Sequence, residues 1–213
     1  MDVKKNMVDA RKYKIKCPYS MSPEFIVVHN TANDASAESE IKYMINNNKQ
    51  TSFHYAIDDK EIVQGIPENR NAWHAGDGGK GRGNRRGIAV EICYSRSGGE
   101  RFIKAEILAA KFIAAKLKER GWGIDRVKKH QDFSGKYCPH RTLDMGWKRF
   151  LDMIQEELKS KAKSDTLSFT HQSKKVSIKG YSKDGTSWVQ LREFAEALGH
   201  KVTWTRERGI EIE

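Results

Sequence analysis

The run EFIVVHNTAND constrains this chain more than any other segment. Its apolar residues, ending in His29 and a polar loop, read as a buried strand over residues 25–29. Side chains alternate along a strand, so Phe25, Val27 and His29 share one face and His29 stands at the C-terminal end. A second run, GIAVEICYS, also reads as strand, with Ala89, Glu91 and Cys93 on one face and Ile88, Val90, Ile92 and Tyr94 on the other. A carboxylate inside such a strand is costly unless it has a polar partner. By residue chemistry alone, Glu91 is either a structural acid paired with Lys or Arg, or an acid whose ionisation does chemical work.

Helices and turns follow from the same periodicities. Residues 36–48 predict a short amphipathic helix, with Glu38 and Glu40 in its first turn and Ile41, Met44 and Ile45 facing inward. SFHYAIDDKEIVQGIP predicts a hairpin of strands 52–57 and 61–65 turning at Asp58-Asp59-Lys60, with His54 in its first strand. NAWHAGDGGKGRGNRRG is too glycine-rich and polar for a regular element and reads as a functional loop. Ile107, Ala110, Ala114 and Leu117, with Leu108 and Phe112 beside them, predict a helix over 103–120 that ends at Gly121. A third helix, 142–159, is expected to bury Trp147, Phe150, Leu151, Ile154 and Leu158. The small, charged run KSKAKSDTLS lacks an apolar period and reads as a linker. The expected division is residues 1–160, a linker 161–168, and a small domain 169–213 of strand, loop, helix and two strands meeting at Arg208-Gly209. So short a tail barely buries a core alone.

With 213 residues, 38% hydrophobic, the chain has enough apolar material for one catalytic-sized domain plus an appendage. No segment reads as a membrane span. MDVKKNMVDARKYKIK has cations without an apolar run behind them, so no secretory signal is expected and the chain is expected to mature in the cytoplasm. Three cysteines, Cys17, Cys93 and Cys138, argue for reduced thiols rather than a disulfide framework. Cys17 and Cys93 read as small buried hydrophobes. The formal net charge of +11 predicts a polyanionic partner. No homeodomain, zinc-finger or RNA-recognition pattern accompanies it, so nucleic acid is not the expected partner, and a wall polymer fits instead.

The stretch KKHQDFSGKYCPHR packs two histidines, a cysteine, an aspartate and several cations together. Imidazole and thiolate are zinc-ligand types, and a catalytic zinc keeps three protein ligands. Spacing alone leaves His29, His130 and Cys138 as either ligands or ordinary hydrogen-bonded residues. Five motifs in order, VVHNTA, SFHYAID, AWHAGDG, NRRGIAVEICYS and HQDFSGKYCPHR, resemble the type-2 N-acetylmuramoyl-L-alanine amidases, a family of phage endolysins, autolysins and peptidoglycan recognition proteins. The likeness covers about residues 8–158. It implies an α/β fold, a mixed central β-sheet flanked by helices, followed here by the small C-terminal α+β domain. It also implies one Zn2+ held by His29, His130 and Cys138, with Glu91 as general base and Lys136 as the cation that stabilises an oxyanion.

The same likeness places His54, Trp73 and His74 around the substrate cleft; by their guanidinium chemistry Arg85 and Arg86 are candidates for bidentate contacts with muramyl lactyl or peptide carboxylates. The alternatives are a core histidine, a solvated loop lysine and surface cations. Where some relatives carry a catalytic tyrosine before the histidine of the second motif, this chain has Phe53, which has no hydroxyl and leaves more of the work to Glu91. The implied activity is cleavage of the amide between N-acetylmuramic acid and L-alanine in peptidoglycan, by a monomer released to the wall. A recognition module that only binds muropeptide is the competing class, and Cys138 is the residue that argues against it. The tail VQLREFAEALGHKVTW resembles short repeats of the copper amine oxidase N-terminal-like domains of wall-associated proteins, which implies wall targeting and no copper.

Overall fold

The computed structural model describes residues 1–159, 165–183, 186–205 and 209–212. The chain divides into two compact units, Met1–Lys159 and Ser160–Glu213. The first unit runs β1 (Lys4–Lys5), α1 (Tyr13–Lys16), β2 (Phe25–Asn30), α2 (Ala37–Asn46), β3 (Tyr55–Ile57), β4 (Ile62–Gln64), α3 (Arg82–Arg86) and β5 (Gly87–Ile92). It continues through α4 (Gly99–Arg120), β6 (Val127–Lys129), α5 (Gln131–Ser134), α6 (His140–Asp144) and α7 (Trp147–Lys159).

The strands form one sheet in the order β1-β4-β3-β5-β2-β6. Only β3 and β4 pair antiparallel; the other neighbours are parallel. This is the mixed sheet with flanking helices that the motifs imply. Parallel strands are covered on both faces, which is why every residue of FIVVHN is buried. Packing of α4 against β3 and β5, with α7 on α4, builds the core around Ile26, Val28, Ile88, Val90, Phe102, Phe112, Ile113 and Phe150.

Local signals set most boundaries. Ser36 caps α2 by accepting from the backbone of Ser39, and Gly121 ends α4 at φ 64°, which glycine adopts without strain. Four expectations need correction. Ile107 is 40% exposed, whereas Ala110, Phe112, Ala114 and Leu117 are buried as expected, together with Phe102, Ala105, Ala109 and Ile113. The third helix is two, broken at Gly146 with φ 104°; Phe150 and Ile154 are buried, and Trp147, Leu151 and Leu158 are partly so. The glycine-rich loop contains α3, held at its start by Asp77, whose carboxylate accepts from the backbone N–H groups of Gly83 (2.6 Å) and Asn84 (3.2 Å). Asp165 to Ser168, expected as linker, are strand, and the rest of the expected linker lies outside the described residues.

The second unit has an antiparallel sheet of β7 (Asp165–His171), β8 (Lys174–Lys183) and β9 (Thr186–Val189), then α8 (Leu191–Ala197) and a hairpin of β10 (Val202–Thr205) and β11 (Gly209–Ile212). Gln172 and Ser173, with φ of 46° and 63°, make the two-residue turn between β7 and β8. Phe169 and Phe194 meet with ring centroids 5.4 Å apart, and Ile178, Ala195 and Val202 are buried. The expected turn at Arg208-Gly209 falls partly outside the described residues.

Candidate metal centre

The sheet register assembles the site. His29 near the end of β2 lies opposite Glu91 near the end of β5, and Val28 lies opposite Lys129 at the end of β6. His130 is the next residue, its N–H bonded to Val28 O at 3.3 Å. Three neighbouring parallel strands thus bring two imidazoles and a carboxylate to one edge of the sheet. Cys138 arrives from a loop folded back on α5, where Gln131 N–H donates to Cys138 O at 3.0 Å.

His29, His130 and Cys138 are buried, and one donor atom from each lies within 4.8 Å of the others. His29 Nδ1 is 3.1 Å from His130 Nδ1, 3.9 Å from Cys138 Sγ and 4.0 Å from Glu91 Oε1. The outer nitrogen of His29, Nε2, is 2.9 Å from His74 Nδ1. When that Nε2 carries the proton and donates it to His74, Nδ1 presents its lone pair to the cluster. Glu91 Oε2 is buried with no hydrogen-bond partner among the described residues. Two imidazole nitrogens, a thiol sulfur and a carboxylate oxygen therefore converge, and such a donor set fits a divalent cation.

Burial governs the proton affinities. It holds His29 and His74 well below the ordinary imidazole range, aided at His29 by the charges of His74, His130 and Lys136. It lowers His130 as well, with Lys136 adding to the effect. Burial pushes the Cys138 thiol up to about 11, with the Glu91 charge adding. It pushes the Glu91 carboxyl up to about 8, with Glu40 adding and Lys136 opposing. Every group is driven toward its neutral form, and a bound cation would reverse this for the acid and the thiol. Lys136 is exposed, and its charge acts on all three ligand candidates and on Glu91.

The other expected residues separate into three groups. His74 touches His29 and sits behind it. His54 is fully buried, with Nε2 2.9 Å from Arg70 O and Nδ1 accepting from the Ala89 N–H at 2.9 Å, so both nitrogens serve the backbone and neither faces a ligand. Burial lowers its pKa to about 4, keeping it neutral. Trp73 spends its indole N–H on Ile15 O at 3.0 Å, and Arg85 lies over the Tyr19 ring, 4.0 Å from the centroid. Neither touches the donor cluster.

Two supporting residues lay outside the sequence reading. Asn30 Oδ1 accepts from the backbone N–H groups of Arg141 and Thr142, tying the end of β2 to the segment after Cys138. Asn84 Oδ1 accepts from the N–H groups of His74 and Ala75, both at 2.8 Å, which fixes the loop carrying His74. Each bridges segments distant in sequence, so no local pattern announces it.

The topology thus sets a buried His-His-Cys group that could hold a metal ion beside a strand glutamate. A family model described as N-acetylmuramoyl-L-alanine amidase matches residues 19–141. The chain belongs to the N-acetylmuramoyl-L-alanine amidase family. It is 62% identical over 157 residues to N-acetylmuramoyl-L-alanine amidase XlyB of Bacillus subtilis (strain 168), covering 73% of this chain and 50% of that protein. It is 63% identical over 158 residues to CwlA of the same organism, covering 74% of this chain and 58% of the relative. The solved structure of PlyL superposes with a TM-score of 0.70 at 52% identity, covering 72% of this chain and 97% of that one. The chain thus spans 50–58% of the length of these two relatives.

Proposed function

We propose that this chain is a zinc-dependent peptidoglycan hydrolase that cuts the amide between the lactyl group of N-acetylmuramic acid and the L-alanine of the stem peptide. The observation that carries the reading is the convergence of His29 Nδ1, His130 Nδ1 and Cys138 Sγ beside a buried, under-bonded Glu91. Family membership supplies the bond that is cut. His29, His130 and Cys138 would hold the Zn2+, which in such a set acts as a Lewis acid that polarises a carbonyl and acidifies water.

The remaining work falls to the protein. Glu91, with its carboxyl pushed up toward neutral pH, takes a proton from the attacking water and returns it to the leaving amine. Lys136 places positive charge where an oxyanion develops. His74 fixes the tautomer and orientation of the His29 ring. His54 holds the strands beneath the site and takes no part in binding. The second unit is proposed to hold the enzyme on the wall; a chain ending near Ser160 that bound intact walls as well as the full chain would remove that role.

The test is incubation with purified peptidoglycan, with and without a chelator followed by added zinc. Zinc-dependent release of L-alanine amino termini without new reducing sugar ends is the expected result. Wall binding with neither product would make the chain a recognition module.

A further inference from the structure

The donor cluster occupies the C-terminal ends of β2 and β5, and their N-terminal ends carry a second polar concentration. A groove of about 560 Å3 there is lined by Lys80, Arg82, Arg85 and Arg86 together with Ser20 and Ser22. Phe25 pairs with Gly87 at that end of the two strands, whereas His29 pairs with Glu91 at the other. Four residues of strand, at about 3.3 Å each, separate the groove from the donor cluster by roughly 13 Å.

The cations outnumber the carboxylate that neutralises them. Glu24 pairs with Arg82 (Nη2 to Oε2, 2.6 Å) and lies 3.6 Å from Arg86 Nε. Lys80 is exposed and has no ion-pair partner among the described residues. The Nε–H of Arg85 is buried without a hydrogen-bond partner among the described residues, and the guanidinium is stacked over Tyr19.

We infer that this groove binds a polyol-phosphate polymer of the cell wall, a chain of repeating phosphodiesters, at a site separate from the one that cuts the amide. Guanidinium forks match phosphate oxygens in pairs, and the two serine hydroxyls add neutral donors. A single stem-peptide carboxylate would occupy one fork and leave the rest uncompensated, whereas a repeating anion engages several. Single-stranded nucleic acid shares the phosphate chemistry but draws its affinity from bases stacked on open aromatic rings. At this rim the ring of Tyr19 has Arg85 over it.

The test is binding of the full-length chain to immobilised poly(glycerol phosphate) across a salt series, with single-stranded DNA of equal phosphate number as comparison. Wild type is expected to bind the polymer more tightly than the DNA, with affinity falling steeply as salt rises. Lys80→Gln combined with Arg86→Gln removes two cations, which at 0.15 M salt predicts a loss of about tenfold and a salt slope shallower by between one and two. Lys80→Gln alone, at an exposed position outside the fold's ion pairs, is expected to lose roughly two- to fourfold in affinity. Lys80→Gln is expected to cleave soluble muropeptide as wild type does, so its outcome is independent of the amidase reading. Unchanged polymer binding in both variants, or equal affinity for the DNA, would overturn the inference.

Discussion

Glu91 is expected to destabilise the metal-free fold, and replacing it should reveal by how much. Its carboxyl sits at about 8 in the folded chain against an ordinary 4.5, with burial as the main cause. The sign follows from proton binding. Below pH 4.5 the acid is protonated in both folded and unfolded states and costs nothing. Between 4.5 and 8 the folded state binds more protons than the unfolded one, so stability falls as pH rises; above 8 the penalty is constant. At pH 7 the accrued difference is about 2.5 pH units, on the order of 3 kcal/mol at 1.36 kcal/mol each. The side chain remains 16% exposed, and water screens part of the charge, so about 2 kcal/mol is the expectation. Glu91→Gln keeps the shape and removes the charge. In chelated protein it should raise the urea midpoint by about 1 M at pH 7, since small proteins lose 1–3 kcal/mol per molar urea. The gain should shrink toward zero near pH 5 and level off above pH 8. With zinc restored the difference should narrow, because the cation stabilises the carboxylate. A midpoint difference that is flat from pH 5 to 8 would refute the assignment of Glu91 as a buried ionisable acid.

His74→Ala should weaken zinc binding about 10–100-fold by freeing the His29 ring, and His74→Gln, which restores an acceptor, should recover part of it; competition with a chromogenic chelator measures both. Asn84→Ala strips the acceptor from the N–H groups of His74 and Ala75 and should cost roughly 3 kcal/mol by urea unfolding, with Asn84→Asp retaining most of the stability. Arg149→Met leaves Glu106, whose side chain is 1% exposed, without its 2.5 Å partner and should cost about 3–5 kcal/mol; adding Glu106→Gln should return most of that in thermal denaturation.

What the sequence made legible follows interaction range. Strand β2 and helices α2 and α4 declare themselves because their apolar periods and caps lie within a dozen residues. The ligand candidates stood out through their motifs, yet their meeting depends on which strands neighbour each other, and that pairing is non-local. Short β1 and β6 carry too few residues for a period and exist because β4 and β2 pair with them. Strand β7 was hidden for a different reason: its turn places Gln172 and Ser173 at positive φ, where Asn-Gly would have been the usual signal. His54 shows the opposite error. A motif histidine looks chemical until the structure shows both nitrogens spent on backbone partners.

Metal binding and folding of the first unit should therefore be coupled through the same side chains. Burial keeps Glu91 and Cys138 from ionising, and the two Nδ1 atoms lie 3.1 Å apart at strand ends whose positions the sheet register fixes. Rigid parallel strands carry His29 and Glu91, while Cys138 rides on a loop tied down by Asn30 and Gln131. A cation that bonds all three ligands would add a link between that loop and the strand ends, and its binding energy would appear as stability of the folded unit. The cost of gathering these groups without the cation and the gain on binding it are consequences of one geometry, in which an acid and a thiol are kept too dry to be charged alone.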